Sequence, residues 1–373
     1  MLKLFFSVNH SGCSWWRSRQ PARMIEKLGL AEVALFSQYT IGREEVGGMI
    51  EWSDFIVSQS PCGADAVALI MQYQRMGKVV IADYDDLVYS CSPFNPAYKT
   101  LGLRDVKVKD IDGKEHNLWK DGEHGFSIKD NYCRYRSQRD LIKIVDGISL
   151  TNEYLRDRYA EENPGIEPKI GIYPNSIDFD LIKPFPKKDT GQIRIGWIAS
   201  ASHLSEIWMV KGIFKKLFAK YGDKIKFVLQ GDVRELCRAF KNTEMEFHPF
   251  IDLSVYPIKI ASLNLDIGIS PIVDDEFNRC KSALKWSEYS ALKIPSVVSD
   301  LPPYIPVEDG KTGLKAKNED EWVEKISMLI DNPKLRKEIS NNAFEENYQK
   351  YNLKKNVVDL VKWYEKVYDG VSR

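Results

Sequence analysis

Between Asn278 and Glu288 the sequence NRCKSALKWSE carries two lysines and a glutamate at helical spacing. Lys281, Lys285, Glu288 and Leu292 fall on one face, while Leu284 and Ala291 fall on another that can lie on a sheet. Asn278 is placed to cap a helix beginning near Lys281. The unpaired N–H groups of such a terminus suit a phosphate, and two ammonium groups add charge for a diphosphate. Ser282 belongs to the same group, and Glu288, two turns on, could accept hydrogen bonds from ribose hydroxyls. The plain alternative is a solvated Lys/Glu face with ordinary i,i+4 pairing.

Three further segments place polar groups just after apolar runs. KVVIADYDDLVYS puts Asp83, Asp85 and Asp86 at the end of a strand, where close carboxylates raise one another's pKa or bind a cation. FFSVNHSGCSWWRSR follows its strand with a small-residue loop holding His10 and Gly12, then Arg17 and Arg19; it is no GxGxxG fingerprint. IGWIASASHLSEI brings Gly196, Ser200 and Ser202 to a turn where the backbone can approach a ligand, with His203 at the start of the next helix.

The elements that must position these groups alternate along the chain. Leu2–Val8, Asp54–Ser58, Lys78–Ala82 and Gly147–Leu150 read as buried strands, with helices over Arg19–Leu28, Ala64–Met76 and Asn131–Val145. Ile193–Ala199, Ile225–Leu229, Leu265–Pro271, Pro295–Ser299 and Gly313–Lys315 repeat the pattern, and helices close the chain from Glu319. Such alternation implies an α/β fold of two parallel-sheet, Rossmann-like domains. The expected boundaries are 1–175 for the first domain, 176–188 for a proline-containing linker and 189–351 for the second. The helix over 352–373 is expected to pack back on the first domain. Residues 91–130, polar and rich in turn signals, read as a long irregular insertion. In open parallel sheets ligands bind beyond the carboxyl ends of the strands, so two facing domains would share one cleft.

Composition narrows the partners. Lys plus Arg and Asp plus Glu each total 53 in 373 residues, so the formal charge is zero, which argues against nucleic-acid or anionic-membrane binding by bulk electrostatics. Six scattered cysteines with no CxxC pair fit neither a disulfide framework nor a zinc site, and a reducing cytoplasm is expected. No apolar run reaches the ~18 residues of a transmembrane helix.

The order of segments from Tyr173 to Tyr351 resembles the GT4-like (group 1) retaining glycosyltransferases of GT-B fold. YPNSIDFDLIKP is similar to that family's linker, RIGWIASASHLSEI to its donor-domain entry, FNRCKSALKWSEYSALKIPSVVSDLPPY to its donor-site helix, and DGKTGLKAKNEDEWVEKISMLIDNPKLRKEISNNA to its tail. The resemblance implies transfer of a sugar from a UDP- or GDP-sugar, with retention, to an acceptor: a glycan, lipid-linked sugar, protein or modified nucleobase. It implies no cofactor and no required metal, the nucleotide-sugar being a co-substrate. The donor would meet Gly196, Ser200, Ser202, Asn278, Ser282 and Glu288. His203, Lys281 and Lys285 would stabilise the leaving diphosphate, and Asp85 would assist the acceptor. His10, Gly12, Arg17, Asp83 and Asp86 are expected on the acceptor side. Two departures stand out. The loop after Gly196 lacks the family's Arg and Lys, and Cys280 stands where the family carries an acidic residue against the transferred sugar. An epimerase or phosphorylase, a transferase to nucleobases in DNA, and a non-catalytic binding protein are the rival readings.

Overall fold

Short runs of Val, Ile, Leu and Phe, buried on both faces, form the central strands of two sheets. The computed structural model describes residues 1–8, 12–37, 44–110, 112–232, 240–241 and 244–371. The first sheet contains β1 (Lys3–Val8), β2 (Glu32–Ser37), β3 (Phe55–Gln59) and β4 (Val79–Tyr84). An antiparallel hairpin, β5 (Val106–Lys109) and β6 (Glu115–Trp119), interrupts it before β7 (Gly147–Leu150) and β8 (Ile170–Ile172). The second sheet contains β9 (Ile193–Ala199), β10 (Ile225–Gly231), β11 (Met245–Pro249), β12 (Ile267–Ser270), β13 (Ser296–Ser299) and β14 (Leu314–Ala316). The orders are β2-β1-β3-β4-β7-β8 and β11-β10-β9-β12-β13-β14, all pairs parallel. Each sheet is thus wound outward from its first strand, and the switch point beside β1 or β9 opens a crevice at the carboxyl ends.

Helices cover both faces because their apolar residues recur every three or four positions. Val210, Ile213, Phe214 and Leu217 of Ile207–Tyr221 bury against the second sheet, with Phe214 stacked on Phe227 at 3.8 Å. The helix Leu284–Ala291 lies on its other face through Tyr289 and Ala291. The C-terminal helix Leu353–Gly370 packs on the first sheet beside Gln20–Lys27. Glycines make that docking possible: a Cβ at Gly171 would stand 2.4 Å from the Trp363 ring, and one at Gly147 would stand 3.2 Å from it. The chain therefore crosses between domains near Tyr173 and again near Tyr351, and the crossings pair, Ile177 N–H donating to Tyr351 O and Leu353 N–H to Ile177 O.

The segment 91–130 is less irregular than its turn signals imply. It holds the hairpin and a short helix Tyr98–Leu101, and it encloses Cys91, Tyr98 and Phe126 in a small core that also takes Phe277 of the second domain. Among the described residues no helix is long and apolar enough to cross a membrane.

Candidate functional site

The carboxyl ends of the two sheets face each other across a cleft of about 310 Å³. From the first domain Gly12, Cys13, Asp85 and Asp86 reach it, following β1 and β4. From the second, Ser200, Ser202 and His203 follow β9, and Gly231 ends β10. Lys281, Ser282, Lys285 and Glu288 complete that wall. Gly231 has φ +133°, and a Cβ there would stand 1.8 Å from Ala199 O, so β10 turns away beside the ligand space as only glycine can.

The lysine segment differs from the expected single helix. A short helix, Glu276–Arg279, is capped by Asp275, whose carboxylate accepts from Asn278 N–H at 2.7 Å. The next helix begins at Leu284, after Ala283, rather than near Lys281. Asn278 therefore caps nothing; its buried amide donates to Val273 O and Glu206 and does not line the cleft. Lys281 sits in the turn between the two helices, its Nζ 4.8 Å from the Phe277 ring centre. Lys285 Nζ donates to Glu288 Oε2 at 2.8 Å and to Tyr256 Oη at 3.0 Å, and Tyr256 donates to Glu288 Oε1 at 2.9 Å. Among the described residues Lys281 has no carboxylate within ion-pair distance, so the net positive charge of this wall is centred on it. Ser282 Oγ accepts from Asn175 Nδ2 at 3.0 Å and ties the wall to the first crossing segment.

Gly196, too, sits elsewhere than expected. It lies inside β9, not in the loop, and a Cβ there would meet Leu265 at 2.2 Å; its small size serves sheet packing. Beyond Ala199 the chain makes a short helical stretch, Ala201–Glu206, at whose start Ser200 and Ser202 share a 2.8 Å hydroxyl contact. His203 follows, with 12 % of its side chain exposed. Burial lowers its pKa, as do the charges of Lys281 and Lys285, against an opposing pull from Glu206. Glu206, unremarked in the sequence reading, is fully buried and accepts from Val273 N–H at 3.1 Å. Its signal was the His-x-x-Glu spacing, which puts both side chains on one side of a helical turn.

On the opposite wall the carboxylates divide into two kinds. Asp83 faces inward and accepts from Arg17 Nε at 2.9 Å and Nη2 at 2.7 Å. Arg17, its side chain fully buried, also donates to Ser149, Tyr173 O and Asn175. Neither is an acceptor contact as expected: each spends its hydrogen bonds on the other and on the domain core. Asp85 and Asp86 do line the cleft. With Cys13 they form a cluster whose oxygen and sulfur atoms lie within 4.8 Å of one another. Withdrawal from water pushes the Asp85 carboxyl up to about 7, Asp86 adds to the rise, and a hydrogen bond from Cys13 opposes it. The Cys13 thiol is raised well above its ordinary value, first by burial and then by the two aspartates. His10 lies outside the described residues.

Cys280 is buried in the apolar core of the first domain beside Leu87 and Tyr159, and its thiol is pushed up to about 12 by burial. It closes the domain interface and is no thiolate nucleophile. The acidic residues just upstream are engaged as well: Asp274 with Arg279, Asp275 as the cap, Glu276 beside Arg158.

The chain matches no protein-family model and no curated protein. Its fold is similar to solved structures over nearly its whole length. HepE from Anabaena, in complex with UDP and glucose, aligns at TM-score 0.64 and 11 % identity, over 98 % of this chain and 100 % of that one. Sucrose-phosphate synthase from Thermosynechococcus elongatus aligns at 0.68 and 10 %, over 100 % of both. A glycosyltransferase from Rickettsia africae aligns at 0.68 and 12 %, over 99 % of both. Together with the two facing six-stranded parallel sheets, these likenesses establish that the chain has the GT-B fold.

Proposed function

We propose that the protein is a glycosyltransferase that takes a sugar from a nucleoside-diphosphate sugar held on its second domain. The observation that carries this is the make-up of one cleft: Lys281, His203 and small-residue backbone on one wall, Asp85 and Asp86 on the other. A diphosphate needs concentrated positive charge, and Lys281 supplies it where the loop after β9 has no cation, while Lys285 balances the Glu288 carboxylate. Glu288, fixed by Lys285 and Tyr256, keeps lone pairs for ribose hydroxyls. Catalysis is then electrostatic: the leaving diphosphate is stabilised as the glycosidic bond breaks. Asp85, held near the pKa of a neutral-pH base, receives the acceptor hydroxyl.

Cys280, being buried, offers no thiolate; the resemblance of the donor-site segment supports a front-face, retaining route. In that route the departing phosphate oxygen hydrogen-bonds and orients the acceptor hydroxyl, whose proton passes to Asp85. Donor binding rests on side-chain cations rather than a metal, so EDTA should leave it intact. Uracil or guanine is the expected base, the UDP complex of the Anabaena neighbour favouring the first. The direct test is slow donor hydrolysis: incubation with UDP- and GDP-sugars should release free sugar and nucleoside diphosphate in an amount that scales with enzyme. Absence of release and of binding across the panel would refute the reading.

A further inference from the structure

His203 is the cleft residue whose chemistry depends most on a group behind it. Its Nδ1 is buried, has no hydrogen-bond partner among the described residues, and lies 3.7 Å from Glu206 Oε2. Glu206 has no exposed surface and no lysine or arginine in contact with it among the described residues. It accepts from Val273 N–H at 3.1 Å, from Asn278 Nδ2 at 3.4 Å and from Ser205 Oγ at 3.0 Å. These bonds fix the carboxylate between the loop after β9 and the loop after β12, so its position beside Nδ1 is set by the fold.

That arrangement favours one tautomer. A neutral imidazole carries one N–H. Beside a carboxylate it belongs on Nδ1, which leaves Nε2, on the far side of the ring, with a bare lone pair. A lone pair facing a phosphate oxygen repels it. Nε2 can donate to a diphosphate only when the ring carries both protons, and Glu206 is the buried charge that balances such an imidazolium. The groups facing the ring from the other elements are Lys281 and Lys285, whose positive charges oppose protonation in the empty cleft. A bound diphosphate neutralises them and reverses that bias.

We propose that Glu206 is a positioning residue that makes His203 a proton-dependent diphosphate donor, so that binding of the nucleotide-sugar takes up a proton at Nε2 from solvent. The inference rests on the reading that a diphosphate occupies this cleft. The proton balance is simple: solvent supplies H⁺ to Nε2, Nδ1 keeps its proton facing Glu206, and the new Nε2–H donates to a phosphate oxygen.

The experiment is calorimetric titration of the protein with UDP-glucose between pH 6 and 8, in two buffers of different ionisation enthalpy. UDP-glucose is chosen because a pyrophosphate diester lacks the monoester ionisation near pH ~6. The wild type should take up close to one proton at the alkaline end, its Kd rising by up to about tenfold per pH unit there. Glu206→Gln should bind with no proton uptake and a flat Kd, because the amide lets His203 hold its single proton on Nε2. His203→Asn tests the same linkage without touching the Val273 and Asn278 bonds, and it should abolish the uptake too. Uptake that persists in His203→Asn would assign the proton to another group, such as Asp85, and overturn the inference. So would an equal loss of affinity at every pH in Glu206→Gln with uptake unchanged, the mark of a purely structural residue. If the wild type binds neither UDP-glucose nor GDP-sugars, the donor-site reading itself falls, and the inference with it.

Discussion

Lys285 and Glu288 form a 2.8 Å ion pair in which the carboxylate is fully buried and the ammonium about one-quarter exposed. Four residues earlier, in the turn before that helix, Lys281 points into the same cleft with the Phe277 ring beneath it. The two lysines, equivalent by spacing, therefore do different work. Lys281→Met should lower kcat by about ten- to a thousandfold, the usual loss for one electrostatic donor, with little change in melting temperature. Lys285→Met should instead strip Glu288 of its cation and cost roughly 1–3 kcal/mol of stability. Turnover and thermal melts of both variants separate the roles.

Arg17 and Asp83 are expected to report on folding rather than on substrate. Both side chains are essentially buried, so removing one partner leaves an uncompensated charge in the core. Arg17→Leu or Asp83→Asn should destabilise the protein by about 3–5 kcal/mol, measured by denaturant unfolding. Normal stability with a selective rise in the KM for acceptor would return the pair to the acceptor site.

The pH dependence should carry the mark of Asp85. Its pKa is raised in the folded protein to about 7 from the ordinary 3.8, so between those values the folded state binds more protons than the unfolded one. Stability contributed by this group therefore falls as pH rises from about 4 to 7, the reverse of a salt-bridged carboxylate. Asp85→Asn should flatten that fall in a melting-temperature series. With saturating sugar nucleotide, kcat/KM for the acceptor should rise as pH rises through about 7, and Asp85→Asn should lose that limb.

Much of the scaffold was legible because central strands are buried on both faces and read as apolar runs. Gly147–Leu150 and Ile193–Ala199 coincide with their expected bounds. Of the strands missed, β2, β8 and β11 lie at the edges of the two parallel sheets and β5 and β6 form the separate hairpin; in all of them partial exposure admits polar residues and dilutes the run. The site was legible where residues are close in sequence: Lys281, Ser282, Lys285 and Glu288, and the Ser200–His203 turn, do share the cleft. It was misread where partners are remote. Arg17 looks like a cleft cation after a strand, but its partners Asp83, Ser149 and Asn175 lie 66, 132 and 158 positions away. Asn278 suits a cap, but it lies inside a short helix capped by Asp275, and local spacing could not show that two short helices, not one, fill the segment.

The central claim, a sugar nucleotide on the second domain with its ribose at Glu288, is tested most directly by titrating UDP- and GDP-sugars into wild type and Glu288→Ala in the presence of EDTA. The account predicts binding by the wild type and a loss of roughly 1–3 kcal/mol in the variant, about five- to 150-fold in Kd, for a hydrogen bond to a charged acceptor. Unchanged affinity in a Glu288→Ala protein that keeps its fold, or binding that EDTA abolishes, would contradict it.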